Sequence, residues 1–211
     1  MNKKIYKLIN DLYFEHDLRE EDLVYILDNM DSEDVDYLLG LAYNTRNNHY
    51  GKAVYLRGLI EFSNYCKREC KYCGINTFNR DVKRYRMTKK EIVDTCKEGY
   101  KLGFRTFVLQ GGEDPYFTDK RICDIVKAVK KLFSDVAITL SLGERPIESY
   151  RAMKFAGADR FLLRHETSNP GLYRWLHPFS SLDSRIGCLY SLKYTGFQTG
   201  AGFMVGLPWY T

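Results

Sequence analysis

Apolar positions follow two different rhythms along the 211 residues of this chain. In the first fifty residues they recur every three or four positions, as on one face of a surface helix. Ser32 is a predicted N-cap, a short helix is predicted over residues 20–28, and the polar stretch 44–51 is expected to break the pattern. We therefore predict a helical cap over residues 1–50, with apolar stripes formed by Ile5, Leu8, Ile9, Leu12 and Tyr13 and by Val35, Leu38, Leu39 and Ala42.

From residue 57 onward, short apolar segments alternate with helical patterns. Thr88 and Glu91 have the spacing of a capping box that opens a helix ending near Gly103, and further helices are predicted from Asp119, from Pro146 at a first helical turn, and over 182–194. The near-continuous apolar character of the strands predicts that both faces of the sheet are covered. The predicted strands are residues 58–62, 107–109, 136–140, 161–163 and 201–205.

This alternation predicts right-handed βαβ units and a parallel sheet over residues 51–211. About five βα units fit this length, whereas a closed TIM-type barrel has eight strands. The pattern allows an open five-stranded α/β sheet or the amino-terminal portion of a (β/α) barrel. We favour the barrel portion, because the chain stops directly after a predicted strand.

Composition narrows the class of protein. Hydrophobic residues make up 45% and charged residues 28%, and the net charge of +5 comes from 32 basic and 27 acidic residues that are mixed along the chain. This mixture is typical of a solvated surface and not of a nucleic-acid-binding stripe. The chain contains neither an apolar run of about 18 residues nor an apolar amino-terminal leader. We expect a cytoplasmic protein that binds neither membranes nor nucleic acid.

Three of the six cysteines lie within eight residues, in the spacing C-x3-C-x2-C formed by Cys66, Cys70 and Cys73. Three thiolates on one tight loop can bind three corners of an iron–sulfur cluster and leave one iron for a non-protein ligand. Zinc is the alternative, but structural zinc takes four protein ligands. The loop contains no histidine, and His49 and His165 are distant in sequence, so an iron–sulfur cluster is favoured. Cys96, Cys123 and Cys188 lie in helical patterns and are interpreted as structural.

Polar residues follow the predicted strands, where the sites of α/β proteins lie. Gly111 and Gly112 follow the second strand and would let the backbone approach a ligand, although a glycine pair is most often only a turn. Ser141 ends the third strand. Its hydroxyl is suited either to binding a ligand or to a hydrogen bond within a turn.

Charged residues near the fourth strand and in the last helix also have two interpretations. Glu166 could pair with Arg164 as a simple salt bridge, or it could accept hydrogen bonds from ribose hydroxyls. Arg185 is either a solvated helix arginine or a clamp for a carboxylate. His165 has a structural interpretation at least as good as a catalytic one.

Together these residues resemble the radical S-adenosylmethionine superfamily. The cysteine loop has an aromatic residue, Tyr72, before its third cysteine, and a Gly-Gly-Glu turn follows the next strand. Within the superfamily, segments between about residues 50 and 208 are most similar to the FeFe-hydrogenase maturases. These segments are RGLIEFSN at 57–64, RYRMT at 84–88, VLQ at 108–110, GEDPY at 112–116, TLSLGE at 139–144, LRHET at 163–167 and GAGFMVGLP at 200–208.

The resemblance implies a 4Fe-4S cluster bound by Cys66, Cys70 and Cys73. The open iron would take the amino and carboxylate groups of S-adenosylmethionine, and Gly111 and Gly112 would meet the amino end of its methionine part. The reduced cluster would then cleave this cofactor to methionine and a 5′-deoxyadenosyl radical, while the protein orients it and excludes water.

Four more positions match cofactor contacts of the family. The resemblance places Tyr72 near the adenine, Glu166 at the ribose, Arg185 at the carboxylate and Ser141 elsewhere on the cofactor. It also implies a small-molecule or organometallic iron–cysteine substrate used in assembly of the hydrogenase active site (the H-cluster). Expected partners are an electron donor such as ferredoxin or flavodoxin and other hydrogenase maturases.

The chain departs from the family at its end. The family reads Gly-Leu-Pro-Gly-Gln-Thr after the fifth strand, whereas residues 206–211 read Gly-Leu-Pro-Trp-Tyr-Thr and finish the chain. The last three βα units would then be missing, so we expect cluster and cofactor ligands without full activity. The alternatives are an enzyme like methylornithine synthase or biotin synthase, and a non-catalytic metal-binding fragment.

Overall fold

A computed structural model describes residues 2–209. The chain forms two compact units with a boundary between Tyr55 and Leu56. Within the described residues, no helix has the length and apolar character needed to cross a membrane.

The first unit consists of helices α1 (Lys3–Glu15), α2 (Glu20–Asn29) and α3 (Ser32–Tyr50). Its core contains apolar side chains of the predicted first stripe and one residue of α2, namely Ile5, Leu8, Ile9 and Ile26.

Two details of the predicted third helix are wrong. Its N-cap is Asp31 and not Ser32, because the Asp31 carboxylate accepts from the backbone of Asp34 in a reciprocal capping box. A carboxylate at this end also interacts favourably with the helix dipole. The helix does not break at Asn44 but continues to Tyr50, where Arg46 donates to the carbonyls of Gly51 and Ala53 just beyond its end.

The second unit is a five-stranded sheet in which each strand pairs in parallel with the next along the chain, in the order β1-β2-β3-β4-β5. This confirms the predicted parallel α/β architecture of five βα units. The strands are β1 (Gly58–Ser63), β2 (Thr106–Gly111), β3 (Ala137–Ser141), β4 (Arg160–Leu162) and β5 (Gln198–Gly200). The helices are α4 (Lys89–Lys101), α5 (Asp119–Leu132), α6 (Ile147–Phe155), α7 (Pro170–Leu176) and α8 (Leu182–Tyr194).

Three local predictions are corrected. The fifth strand is Gln198–Gly200 and not 201–205, a segment that follows the strand and pairs with the residues after β4 through a bridge between Phe203 and Glu166. Pro146 is the N-cap of α6 and not its first helical residue. Helix α7 was not predicted, because its seven residues are too few to display a helical period.

The core lies between the sheet and the helices that follow its strands. In β1, Ile60 and Phe62 are buried, whereas the alternate residues Leu59 and Glu61 are exposed. The prediction that both faces of the sheet are covered is therefore wrong for β1. Large rings fill the covered side, with Phe161 making edge-to-face contacts.

The packing of α4 on β2 generates a prediction about two helix-interior glycines. Alanine usually stabilises a helix by about 0.5–1 kcal/mol relative to glycine. A Cβ at Gly99 would lie 2.6 Å from the Phe107 ring, which is buried, whereas a Cβ at Gly187 meets nothing within 4 Å.

We therefore expect Gly99→Ala to lower the free energy of unfolding by about 1–3 kcal/mol through overpacking. The control Gly187→Ala should raise it by about 0.5–1 kcal/mol. Equilibrium urea denaturation measures both, and equal effects of the two variants would contradict this packing.

Candidate functional site

The carboxyl ends of the strands surround one open cavity of about 240 Å³. This volume is somewhat below the ~300–1,000 Å³ that is common for ligand sites, and the cavity is open to solvent on one side. All nine predicted site residues line it: Cys66, Cys70, Tyr72, Cys73, Gly111, Gly112, Ser141, Glu166 and Arg185. They come from the loop after β1, from the ends of β2 and β3, from the segment after β4, and from α8.

The loop that carries the three cysteines is bound by its backbone to two other parts of the unit. The amide of Lys67 donates to the Glu113 carbonyl at 3.1 Å, and the amide of Lys71 donates to the Leu176 carbonyl at 3.0 Å. A tight turn between Cys70 and Cys73, closed by an amide-to-carbonyl bond of 3.1 Å, brings these two thiols to the same side. The loop is thus attached both to the end of β2 and to the end of α7.

Arg84 holds the same loop from its other end. Its guanidinium donates to the carbonyls of Ile75, Asn76 and Asn79 at 2.7–2.9 Å and to that of Asn64. Four backbone carbonyls of residues 64–79 therefore converge on one side chain. Five donors in a planar group make arginine suitable for this task.

The thiols themselves are half-buried. Burial raises the pKa of Cys66, even though the amides of Arg68 and Glu113 each donate to its sulfur at 3.4 Å. Burial, together with the neighbouring thiols, raises the pKa of Cys70 to about 11. Metal ions bind the thiolate, so binding here would release protons.

A histidine that the sequence gave no reason to select lies beside these thiols. Nδ1 of His177 is 3.3 Å from the Cys70 sulfur, although the two residues are 107 positions apart. The neighbouring histidine is thus His177, at the end of α7, and neither His49 nor His165. Burial and the Arg185 charge lower the pKa of His177 to about 4, which keeps the imidazole neutral.

Among residues 2–209, no three His, Cys, Asp or Glu side chains are placed to hold a single metal ion. A cluster is bound differently, because each thiolate binds a separate iron at a separate corner. The three thiols are half-buried, and two backbone amides donate to the Cys66 sulfur. These thiols are a set of ligands that fits such a cluster.

The cysteine loop passes so close to residue 112 that only glycine fits there. A Cβ there would lie 2.3 Å from the Tyr65 carbonyl oxygen and 2.6 Å from Cβ of Cys66. At Gly111 a Cβ would lie 3.2 Å from the Phe62 ring. The backbone that approaches Gly112 most closely is therefore that of the cysteine loop itself.

A chain of charged residues links the loop to the strand ends. Arg68 donates to Glu113 at 2.7 Å and to Glu144 at 3.0 Å, and Glu144 in turn pairs with Arg185 at 2.9 Å. Arg185 is only 7% exposed and also donates to the Tyr173 hydroxyl at 3.0 Å. Arg185 is therefore not a solvated helix arginine. The sequence did not predict Arg68, Glu113 or Glu144 as site residues, although each lies in a polar segment that follows a predicted strand.

Glu166 occupies a strained position at the cavity. Its φ of 64° lies in the left-handed region, which is uncommon for residues other than glycine and recurs at functional sites. Its side chain is buried and accepts from the Tyr72 hydroxyl at 3.3 Å. No ion pair joins it to Arg164 within the described part of the chain, so the simple salt-bridge interpretation is wrong.

The remaining predicted residues are placed as follows. Ser141 is the last residue of β3, half-buried and opposite Gln110 of β2. Nδ1 of His165 is buried with no hydrogen-bond partner among the described residues. Of the departure at residues 206–211, Tyr210 and Thr211 lie outside the described residues.

A second ion pair fixes the start of the cysteine loop. Asp114 is buried and accepts from the Ser63 hydroxyl at 2.7 Å and from two nitrogens of Arg86 at 2.7 and 2.9 Å. The Arg86 guanidinium also lies 3.8 Å above the Tyr65 ring. Burial alone would raise the pKa of Asp114, but the bonds from Arg86, Ser63 and the Tyr116 amide outweigh it and hold the pKa below its ordinary value.

Residues 60–211 match the radical SAM superfamily. The chain is 52% identical over 171 residues to the [FeFe] hydrogenase maturase subunit HydE of Thermotoga maritima, covering 81% of this chain and 49% of that protein. It is 31% identical over 194 residues to 3-methylornithine synthase of Methanosarcina barkeri, covering 91% of this chain and 55% of that protein. The crystal structure of methylornithine synthase (PylB) superposes with a TM-score of 0.85 at 31% identity, covering 94% of this chain and 59% of that one.

The chain belongs to the radical SAM superfamily of enzymes. Its five parallel βα units are therefore those of a radical SAM barrel fold, as the sequence predicted. Use of an iron–sulfur cluster to cleave S-adenosylmethionine is general to this superfamily. The chain spans about half the length of the curated relatives described above.

The four hydrogen bonds from Arg84 to backbone carbonyls yield a stability prediction. Arg84→Met leaves four backbone carbonyls without their charged donor, and such bonds contribute about 1.5–3 kcal/mol each when a charged group is involved. We expect a loss of about 3 kcal/mol in unfolding free energy and faster amide exchange over residues 64–79. Arg80→Met, at an exposed position next to the same segment, is the control. Equal rates of amide exchange in the two variants would contradict this role of Arg84.

The Asp114 pair yields a pH prediction. Because the folded pKa of Asp114 lies below its unfolded value, the unfolded state binds more protons in acid. The contribution to stability is complete above the ordinary aspartate pKa of about 3.9 and is lost as the pH falls through the folded pKa.

We therefore expect the melting temperature of the wild type to fall more steeply between about pH 5 and 2 than that of Asp114→Asn. Asp81→Asn removes an exposed carboxylate of the same unit and should leave the steep wild-type profile in place. Parallel acid profiles for wild type and Asp114→Asn would contradict this role.

Proposed function

We propose that Cys66, Cys70 and Cys73 bind a 4Fe-4S cluster and that the cavity beside them holds S-adenosylmethionine. The observation that carries this proposal is the convergence of three half-buried thiols, a buried arginine and a buried glutamate on one cavity. When bound, the cluster supplies the electron that cleaves the cofactor to methionine and a 5′-deoxyadenosyl radical. The protein's own residues supply binding, orientation and exclusion of water.

Two charged groups of opposite sign lie on the cavity wall and suit a zwitterionic cofactor. Arg185 would bind the carboxylate, and its guanidinium is already oriented by Glu144 at 2.9 Å and by the Tyr173 hydroxyl at 3.0 Å. Glu166 would accept from ribose hydroxyls, since its carboxylate is held at the cavity by a strained backbone. Fixing these groups before binding reduces the entropy that binding costs.

The other cavity residues have narrower roles in this proposal. Tyr72, whose hydroxyl contacts Glu166, would flank the adenine. The free backbone groups near Gly111 and Gly112 would meet the methionine amino end, and Ser141 would contact the cofactor from the end of β3.

For the biological role, we infer participation in assembly of the FeFe-hydrogenase active site. The support is the 52% identity to HydE, together with the cavity residues that the related segments supply. The substrate would be a small or organometallic iron–cysteine species, the reductant a ferredoxin or flavodoxin, and the partners other hydrogenase maturases. Six free thiols among the described residues are suited to a reducing, cytoplasmic compartment.

Two alternatives have to be separated from this proposal. An enzyme like methylornithine synthase is favoured by the 31% identity and the TM-score of 0.85. A non-catalytic metal-binding fragment would have the same cysteine loop with zinc in place of iron. Anaerobic purification followed by iron, sulfide and zinc analysis separates this last alternative from the enzyme.

The cysteine assignment is tested by substitution. After anaerobic reconstitution, we expect Cys66→Ala, Cys70→Ala and Cys73→Ala each to lose most of the bound iron and sulfide, because a cluster corner loses its thiolate. Cys123→Ala is the matched control, since this half-buried thiol lies in α5 away from the cavity, and it should retain wild-type iron. Unchanged iron in any of the three loop variants would contradict the proposed ligand set.

A further inference from the structure

His177 has contacts on both ring nitrogens, and neither contact is accounted for by the ligand set proposed above. Nδ1 lies 3.3 Å from the Cys70 sulfur, and Nε2 lies 3.4 Å from the Tyr72 hydroxyl. The side chain is 2% exposed. A buried imidazole between a thiol and a phenol can bind a cluster iron directly, or it can act on the sulfur through a hydrogen bond.

The surroundings of the ring hold it in one orientation. Tyr173 stacks on it with ring centroids 4.4 Å apart and planes inclined by 26°. The Tyr173 hydroxyl is fixed in turn by Arg185 at 3.0 Å. The Tyr72 ring meets it edge-on, with ring centroids 5.4 Å apart. The ring therefore has little freedom to turn away from Cys70.

The hydrogen-bonding partners select the tautomer. A neutral imidazole has one donor and one acceptor nitrogen. A cluster-bound Cys70 thiolate can only accept, so Nδ1 must carry the proton, and the Tyr72 hydroxyl then donates its single proton to Nε2 in place of Glu166. In this arrangement Nδ1 donates to the sulfur, and both ring nitrogens are satisfied.

We propose that His177 is a positioning residue whose Nδ1–H donates to the Cys70 sulfur and raises the reduction potential of the cluster that this sulfur binds. The inference rests on the proposed cluster ligands. Hydrogen bonds to cluster sulfurs are among the factors that set the potential, since they stabilise the extra negative charge of the reduced form.

The test compares reconstituted wild type with His177→Leu, His177→Asn and His177→Gln. Asparagine can place an amide donor near the position of Nδ1, whereas the longer glutamine places its amide near that of Nε2. His49→Leu removes a histidine of the other unit and is the control. The measurements are iron and sulfide per chain, near-ultraviolet circular dichroism as a check of folding, and a midpoint potential from a redox titration followed by electron paramagnetic resonance (EPR).

We expect equal iron content in all variants and a more negative midpoint potential for His177→Leu. His177→Asn should return the potential toward that of the wild type, His177→Gln should not, and His49→Leu should have no effect. A purely structural role for His177 would not give this difference between asparagine and glutamine.

Two results would overturn this inference alone. One is a wild-type potential in His177→Leu, and the other is a folded His177→Leu chain that has lost its iron, which would make His177 a ligand. A folded wild-type chain that takes up no iron and sulfide would overturn the proposed function, and with it this inference. The outcomes are therefore distinguishable.

Discussion

Parallel pairing of the strands in chain order is the constraint on which the rest of the structure depends. Because β1 to β5 run side by side in the same direction, their carboxyl ends meet at one edge of the sheet. A thiol of the loop after β1 and a histidine 107 positions later can then lie 3.3 Å apart. The connections between the strands are long, but the five strand ends fix where the site lies. In α/β folds the loops can vary while the strands keep these positions.

Buried charge keeps this edge rigid. Arg68, Glu113, Glu144 and Arg185 each have a partner of opposite charge, and removal of one would leave another charge buried without compensation. The same chain attaches the cysteine loop to the ends of β2 and β3. Glu166 adds local strain, which costs of order 1–3 kcal/mol and is offset by surrounding contacts. The cavity wall is therefore organised before any ligand arrives, which is what a cofactor-binding site requires.

Most of the fold could be predicted because the sequence patterns that indicate it are local. The cysteine spacing, the capping box at Thr88 and the apolar runs of β1 to β4 are each read within a few residues. The contacts of His177 could not be predicted, because a lone histidine carries no sign of a partner 107 positions away. The fifth strand was misplaced because residues 201–205 are apolar, yet the ladder with β4 uses Gln198, Thr199 and Gly200. Polar strand residues of this kind are chosen by backbone pairing and not by side-chain pattern.

We propose that the three thiols leave one iron of the cluster open to S-adenosylmethionine, and that Arg185 and Glu166, which line the same cavity, bind it. The most direct measurement is the EPR spectrum of the reduced, reconstituted chain before and after addition of S-adenosylmethionine. We predict a spectrum with shifted g values on addition of the cofactor, since a ligand then binds one iron. An iron–sulfur spectrum that is unchanged at saturating cofactor, or a chain that retains only zinc, would contradict it.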